Sequence, residues 1–194
     1  MRSNRVAVEN RGFVDDMLFM YRRYPGILIL HISGAAIAWF APGDVLSRWE
    51  SLVEAVAAVG GIFPLLNVAV EKSQFPEVTA VYFALMLAAI PYRLWVGCRM
   101  WYAGADRGRE VYKNISLKER MKIIFMTPLL LCAGMYFLFS DFYFEWNFIP
   151  VSKSRVWLGL VGPLFAGGAQ ISCISLSTGW ICCFLSSIVS YTRG

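Results

Sequence analysis

The chain has 194 residues, of which 58% are hydrophobic and only 16% charged, and its formal net charge is +5. Soluble domains carry about 25% charged residues, and the mean hydropathy of +0.55 is too high for one of them. These values exclude a secreted disulfide scaffold, a disordered chain and a standard soluble enzyme. They predict an all-α, polytopic membrane protein in which residues 1–194 form a single integral membrane domain.

The chain begins with a basic segment and a first membrane span. Residues 1–25 carry five arginines, and their apolar side chains recur at helical spacing. This pattern predicts an amphipathic helix lying on the cytoplasmic surface of the membrane. The first span is predicted over 26–41, where the following Pro42-Gly43 breaks the helix.

A second amphipathic helix is expected after Asp44, which can cap it. This helix passes into the apolar stretch 55–70, which contains Gly60-Gly61 and Pro64. The stretch is predicted to remain on one side of the membrane as a re-entrant or packed piece. A short tilted span is the competing interpretation.

The rest of the chain is organised around longer apolar runs. The remaining predicted segments are the span 78–98, the basic cytoplasmic loop 99–122, and the spans 123–140 and 156–191. Pro91 is expected to kink the first of these spans. Residues 156–192 are uncharged over 37 residues, a length of about 55 Å as one helix against an apolar core of about 30 Å. A break is therefore predicted at Gly167-Gly168 or Gly162-Pro163.

The distribution of basic residues favours four spans. With 55–70 kept on one side, one face of the membrane holds 13 Lys and Arg residues and the other holds 4. The positive-inside rule then places both termini and loop 99–122 in the cytoplasm, in a cell inner membrane. Five or six spans would remove this bias.

Three ionisable residues stand in or near apolar segments: His31, Glu54 and Arg93. Such groups at membrane depth are candidates for function. His31 is the only histidine. It could serve in proton relay or pH sensing, or be a neutral imidazole hydrogen-bonded to Ser33 or a backbone carbonyl. Glu54 and Arg93 could reach an interface or pair with each other.

The last apolar segment is rich in small and hydroxyl residues around Gln170, and Ser175 and Gly179 form a small-xxx-small pair. This composition allows close helix approach. It suits intramolecular packing, a homo-oligomer contact or the binding of another membrane helix.

Residues 139–148 contain six aromatic side chains in ten positions. They predict either an aromatic belt at the headgroups or a docking surface. The docking residues would be Asp141, Tyr143, Glu145 and Trp146. The five cysteines, Cys98, Cys132, Cys173, Cys182 and Cys183, lie in or beside apolar runs, and they are expected to be buried and unreactive.

The stretch Met126–Glu145 resembles the third span of immunity proteins against pore-forming bacteriocins of the colicin A type. The shared features are a polar-Pro start at Thr127-Pro128, a Tyr-aliphatic-Phe exit and an acidic residue just outside. The overall layout, with cytoplasmic ends and a basic central loop, is also similar. The resemblance implies recognition of the toxin's hydrophobic hairpin within the membrane by helix packing.

The sequence shows no catalytic, metal-binding or nucleotide-binding signature. The leading hypothesis is therefore a non-enzymatic inner-membrane protein without a cofactor. It would contact lipids, bind another membrane protein or a second copy of itself, and bind no nucleic acid. The alternative is a small transporter or channel subunit in which His31, Gln170 and Arg93 line a path.

Overall fold

The computed structural model describes residues 13–103 and 115–192, with side chains described for 17–100 and 115–185. The described residues form helices and connecting turns without a strand. The helices are α1 (Phe13–Arg23), α2 (Pro25–Phe40), α3 (Val45–Arg48), α4 (Glu50–Ile62), α5 (Leu65–Lys72), α6 (Pro76–Ala88), α7 (Ile90–Ala103), α8 (Leu117–Phe139), α9 (Arg155–Pro163) and α10 (Ala169–Thr192).

Local sequence signals explain where several helices begin. Proline occupies the first turn of α2 and of α6, where its missing N–H is not needed. α8 begins with a reciprocal capping box between Ser116 and Glu119. The helix therefore begins six residues before the predicted span 123–140, and it includes the last residues of the predicted basic loop 99–122. Residues 104–114 of that loop, like residues 1–12, lie outside the described part.

The N-terminal half contains two bent helix pairs. α4 and α5 meet at 118°, with the turn at Phe63 and Pro64. α6 and α7 meet at 51°, next to Pro91, as predicted. The sharp turn between α4 and α5 reverses the chain, so 55–70 is not one straight helix. The helix expected after Asp44 is also divided, because Trp49 separates α3 from α4.

α6 is the centre of the fold. Its buried residues lie on every side of the helix: Val78, Thr79, Ala80, Tyr82, Phe83, Ala84, Met86 and Leu87. α2, α3, α4, α5 and the segment after α9 all pack against it. An apolar helix without a polar face must be enclosed in this way or lie in lipid. α10 packs mainly on α7 and α8, while α9 packs on α2.

The predicted break in the last segment is confirmed. Between α9 and α10, residues Leu164–Gly168 form a wide turn in which Ala166 has ψ +60° and Gly167 has φ +80°. The second value lies in the left-handed region, which glycine adopts without a steric penalty. The chain thus passes from α9 to α10 through a local distortion at the glycine pair.

Within residues 13–103 and 115–192, between two and four helices are candidates to cross a membrane. Leu117–Phe139 is long and apolar enough alone, as is the stretch Arg155–Leu185, and each bent pair qualifies if it counts as one span. α2 has only 16 residues, which is about 24 Å of helix. The predicted span 26–41 is therefore a short apolar helix.

The cysteine prediction is only partly correct. All five cysteines are free, but Cys132 and Cys182 are exposed while Cys183 is buried. The two exposed side chains lie on outward faces of α8 and α10, where an apolar thiol needs no protein contact if lipid surrounds it.

Candidate functional site

Arg93 lies at the break in the last segment and is only 8% exposed. Its Nη1 donates to the Met86 carbonyl at 3.1 Å and to the Ala166 carbonyl at 2.6 Å, and its Nη2 donates to the Pro163 carbonyl at 2.6 Å. The guanidinium thereby joins the bend between α6 and α7 to the break between α9 and α10.

The distorted backbone explains why these carbonyls need an external donor. The last carbonyls of a helix have no intrahelical partner, and α9 ends at Pro163. A cation is also favoured at the C-terminal end of a helix by the helix dipole. Arg93 supplies both the N–H donors and the positive charge, so these carbonyls do not depend on water for their hydrogen bonds.

The possible Glu54–Arg93 pair is wrong. Glu54 is exposed on α4, and Arg93 forms no ion pair with it or with another described carboxylate. Arg93 therefore keeps a positive charge that neutral carbonyl dipoles solvate but that none of the described carboxylates neutralises.

His31 lies near Arg93. Its Nδ1 is 2.9 Å from the Tyr21 hydroxyl, and the two rings meet edge to face. This contact joins α1 to α2 and satisfies one imidazole nitrogen. The partner is a side chain from the amphipathic helix, whereas the sequence suggested Ser33 or a carbonyl.

An inner cavity of about 540 Å³ brings His31 and Arg93 together. It lies between α1, α2, α7 and α10, and its polar lining consists of His31, Arg93, Ser172 and Ser175. The rest of its lining consists of Met17, Met20, Ile27, Val96, Gly97, Met100, Pro163, Leu164, Ile171, Cys173 and Leu176. It also contacts the backbone of Gly168 at the break.

Ser175 and Gly179 differ in their surroundings. Ser175 is 1% exposed, and its hydroxyl has no hydrogen-bond partner. A Cβ on Gly97 would lie 2.3 Å from that hydroxyl, so α7 and α10 touch here through small residues. Ser175 thus contributes to intramolecular packing, which is one of the roles that the sequence left open for this segment, while Gly179 is half-buried.

The loop 140–154, between α8 and α9, is organised by Glu145. Its carboxylate accepts hydrogen bonds from the Ser152 hydroxyl at 2.5 Å, the Ser152 amide at 2.9 Å and the Tyr143 hydroxyl at 3.1 Å. Burial, together with the charge of Glu145 and the hydrogen bond to it, raises the pKa of Tyr143. Lys72 donates to the Tyr143 carbonyl at 3.3 Å and lies over its ring.

Two of the four predicted docking residues therefore form their hydrogen bonds within the fold. Tyr143 is 6% exposed, and Glu145 is half-buried with its oxygens bonded to the loop. Asp141 is exposed, and Trp146 is 39% exposed and stacks on Phe148. The hydrogen bonds of Glu145 reach Ser152, seven residues further along the chain, and such contacts leave no periodic pattern in the sequence. The sequence therefore could not separate the two residues that bond within the fold from the two that remain exposed.

An outer cleft of about 320 Å³ lies between the loop, α8 and α10. It is lined by Leu65, Ala133, Gly134, Phe137, Phe142, Tyr143, Phe144, Trp146, Leu164, Phe165, Ala169, Gln170 and Cys173. The structure thus unites Tyr143, Trp146 and Gln170, which the sequence placed on separate segments. The buried Oε1 atom of Gln170 has no hydrogen-bond partner.

The polar groups proposed for a transport path are divided between the two cavities. His31 and Arg93 line the inner cavity, whereas Gln170 lines the outer cleft. Leu164 and Cys173 border both spaces, so α10 and the break stand between them. A path through all three polar groups would require these apolar residues to move.

Neither cavity has the composition of a metal centre. Across the residues with described side chains, three His, Cys, Asp or Glu groups do not converge at any point, and a structural or catalytic metal needs at least that number of ligands. Comparison of the chain with protein-family models, characterised proteins and solved structures gives no match.

Proposed function

We propose that the chain is a non-enzymatic membrane protein that binds a helix of another membrane protein in the outer cleft. The observation that carries this proposal is Gln170, which lines an otherwise apolar cleft and whose amide oxygen is buried without a hydrogen-bond partner. Acyl chains of lipids have no hydrogen-bond donor. A partner helix can supply both a donor and apolar side chains, and polar residues associate helices within bilayers in this way.

The rim of the cleft suits the same occupant. Phe142 and Phe144 are 51% and 58% exposed, beside Trp146. Aromatic side chains supply most of the anchoring contacts in protein interfaces. Asp141 lies next to them with an exposed charge, which can select for a basic group at the end of the partner helix.

The proposed setting is a bacterial inner membrane with both termini in the cytoplasm. The spans would be α2, the α6–α7 pair, α8 and the α9–α10 stretch, with α4 and α5 as a re-entrant hairpin. The charge distribution of 13 against 4 basic residues supports this arrangement. The 118° turn is compatible with the hairpin.

Photo-crosslinking in living membranes tests the cleft directly. A photoreactive phenylalanine analogue replaces Phe144 at the cleft rim or, as a control, Phe125, which is 73% exposed on α8 outside the cleft. A covalent adduct with a different protein is expected from position 144 only, and Gln170→Leu should greatly reduce it. Adducts of two identical chains, of lipid alone, or of equal yield at both positions would contradict the proposal.

In its most specific form the proposal is immunity to a pore-forming toxin, which the resemblance of Met126–Glu145 implies. Sensitive cells expressing the chain should survive one such toxin. Ala169→Trp fills the cleft from an exposed position and should remove the protection, whereas Cys182→Trp on the same helix should retain it. Unchanged killing by every pore-forming toxin tried would contradict immunity.

A further inference from the structure

We propose that the inner cavity is a binding site for a lipophilic anion, a molecule with one carboxylate and one apolar chain. This site is separate from the outer cleft, and the proposal does not depend on the function assigned to that cleft.

The charge of the cavity selects the sign of the ligand. Three of the five guanidinium N–H groups of Arg93 donate to carbonyls, and the described carboxylates form no ion pair with it. An uncompensated cation in an apolar setting is costly, and a carboxylate that reaches it through charge-assisted hydrogen bonds removes that cost.

A second polar side chain belongs to the wall of the same cavity, independently of Arg93. The Ser175 hydroxyl is fully buried and has no partner, and Ser175 lines the cavity. A buried hydroxyl normally has a hydrogen-bond partner. His31 is the third polar side chain in the lining. Because a hydroxyl can donate to an anion, Ser175 adds recognition of the same head group.

The remaining walls suit an apolar chain. Met17, Met20 and Met100 line the cavity together with branched aliphatic side chains. Methionine adapts to irregular and flexible ligands. The volume of about 540 Å³ lies within the range of small-molecule sites, roughly 300–1,000 Å³. A medium-chain fatty acid has this combination of one anionic head and one flexible apolar chain.

The lining of the cavity indicates the direction of entry. Arg93 and the break form part of the wall, and Met17 and Met20 of the amphipathic helix α1 form another part. Two arginines end α1, and they attract anions to that edge of the protein. The ligand would therefore enter beside α1.

Direct binding of radiolabelled decanoate tests the site. The probe is measured on the full chain in phosphatidylcholine nanodiscs, with empty nanodiscs as background and unlabelled decanoate or decanol as competitor. Saturable binding is expected, with decanoate competing at least about tenfold better than decanol, the effect of one charge-assisted hydrogen bond. Equal competition by the two compounds would overturn the proposal.

A matched pair of variants locates the probe. Ser172→Trp fills the cavity from an exposed position on α10 and should weaken decanoate binding at least about tenfold. Cys182→Trp places the same side chain on the same helix outside the cavity and should bind as the original chain does. Unchanged binding by Ser172→Trp would overturn the assignment.

Arg93→Gln gives an independent readout in the fraction that retains the native elution profile. It should abolish the preference for decanoate over decanol, and a preserved preference would overturn the role of the cation. Nanodiscs containing phosphatidylglycerol show whether the natural ligand is an anionic lipid of the bilayer or a free carboxylate. Displacement of decanoate by this lipid would support the site with a bilayer anion as its ligand, and persistence of binding would support it with a free carboxylate.

Discussion

Replacing Arg93 by methionine removes the cation while keeping a long side chain. The carbonyls of Met86, Ala166 and Pro163 then lose their donors. A buried acceptor left without a donor costs about 1–3 kcal/mol, which sums to several kcal/mol for three carbonyls. Removing a buried charge returns part of this cost, because the charge no longer has to be desolvated. We expect a net loss of about 3 kcal/mol in the free energy of unfolding.

Two comparison variants separate this effect from a general loss of charge. Arg93→Lys keeps the cation but replaces the planar fork by a point charge, so an intermediate loss of about 1–2 kcal/mol is expected. Arg48→Met removes a 59% exposed arginine in a surface pair, and such pairs contribute about 0–1 kcal/mol.

The assay is reversible unfolding in mixed micelles at increasing fractions of sodium dodecyl sulfate, followed by far-ultraviolet circular dichroism. The order of stability should be original chain and Arg48→Met together, then Arg93→Lys, then Arg93→Met. If Arg93→Met unfolds within 0.5 kcal/mol of Arg48→Met, a value of about the measurement error, the carbonyls do not depend on Arg93.

Three further outcomes are expected. Gly167→Ala should lower the free energy of unfolding by about 1–2 kcal/mol, because Gly167 has a φ of +80°. Gly61→Ala should not destabilise the fold, because a Cβ at this position meets open space. Equal free energies of unfolding for the two variants in the same assay would contradict this reasoning. The raised pKa of Tyr143 means that stability is complete below the pKa of an unfolded tyrosine, about 10, and falls as pH rises above it. Tyr143→Phe should therefore show a shallower alkaline decline, and an unchanged slope would count against burial of the neutral phenol. An alkaline phosphatase fused after Lys72 should be active, and a cytoplasmic signal there would refute the four-span arrangement.

Features that depend on neighbours in the chain were predictable from the sequence. The helix after Pro25, the bend beside Pro91 and the break at Gly167-Gly168 follow from local backbone chemistry. The fold class was predictable from composition, because long uncharged apolar runs have few alternatives to a helix. The start of α8 at Leu117 was missed, although the capping residues Ser116 and Glu119 were visible in the sequence.

Features that depend on distant backbone atoms were not predictable. Arg93 has carbonyl acceptors 70 and 73 residues away, and carbonyls occur at every position, so they leave no signal in the sequence. The Glu145 network is likewise completed by the main chain of Ser152. The candidate sites were identified as separate residues, and only the fold divided them between the inner cavity and the outer cleft.

The long separation between Arg93 and its acceptors also sets an order of events during synthesis. The residues that carry those acceptors are made 70 and 73 residues after Arg93. At 5–20 residues per second this delay is roughly 4–15 s. Throughout that interval the Arg93 guanidinium lacks two of its three carbonyl acceptors, so water must hydrate it until the residues that carry them have been made. The arrival of the last helices then ends this dependence and completes the assembly.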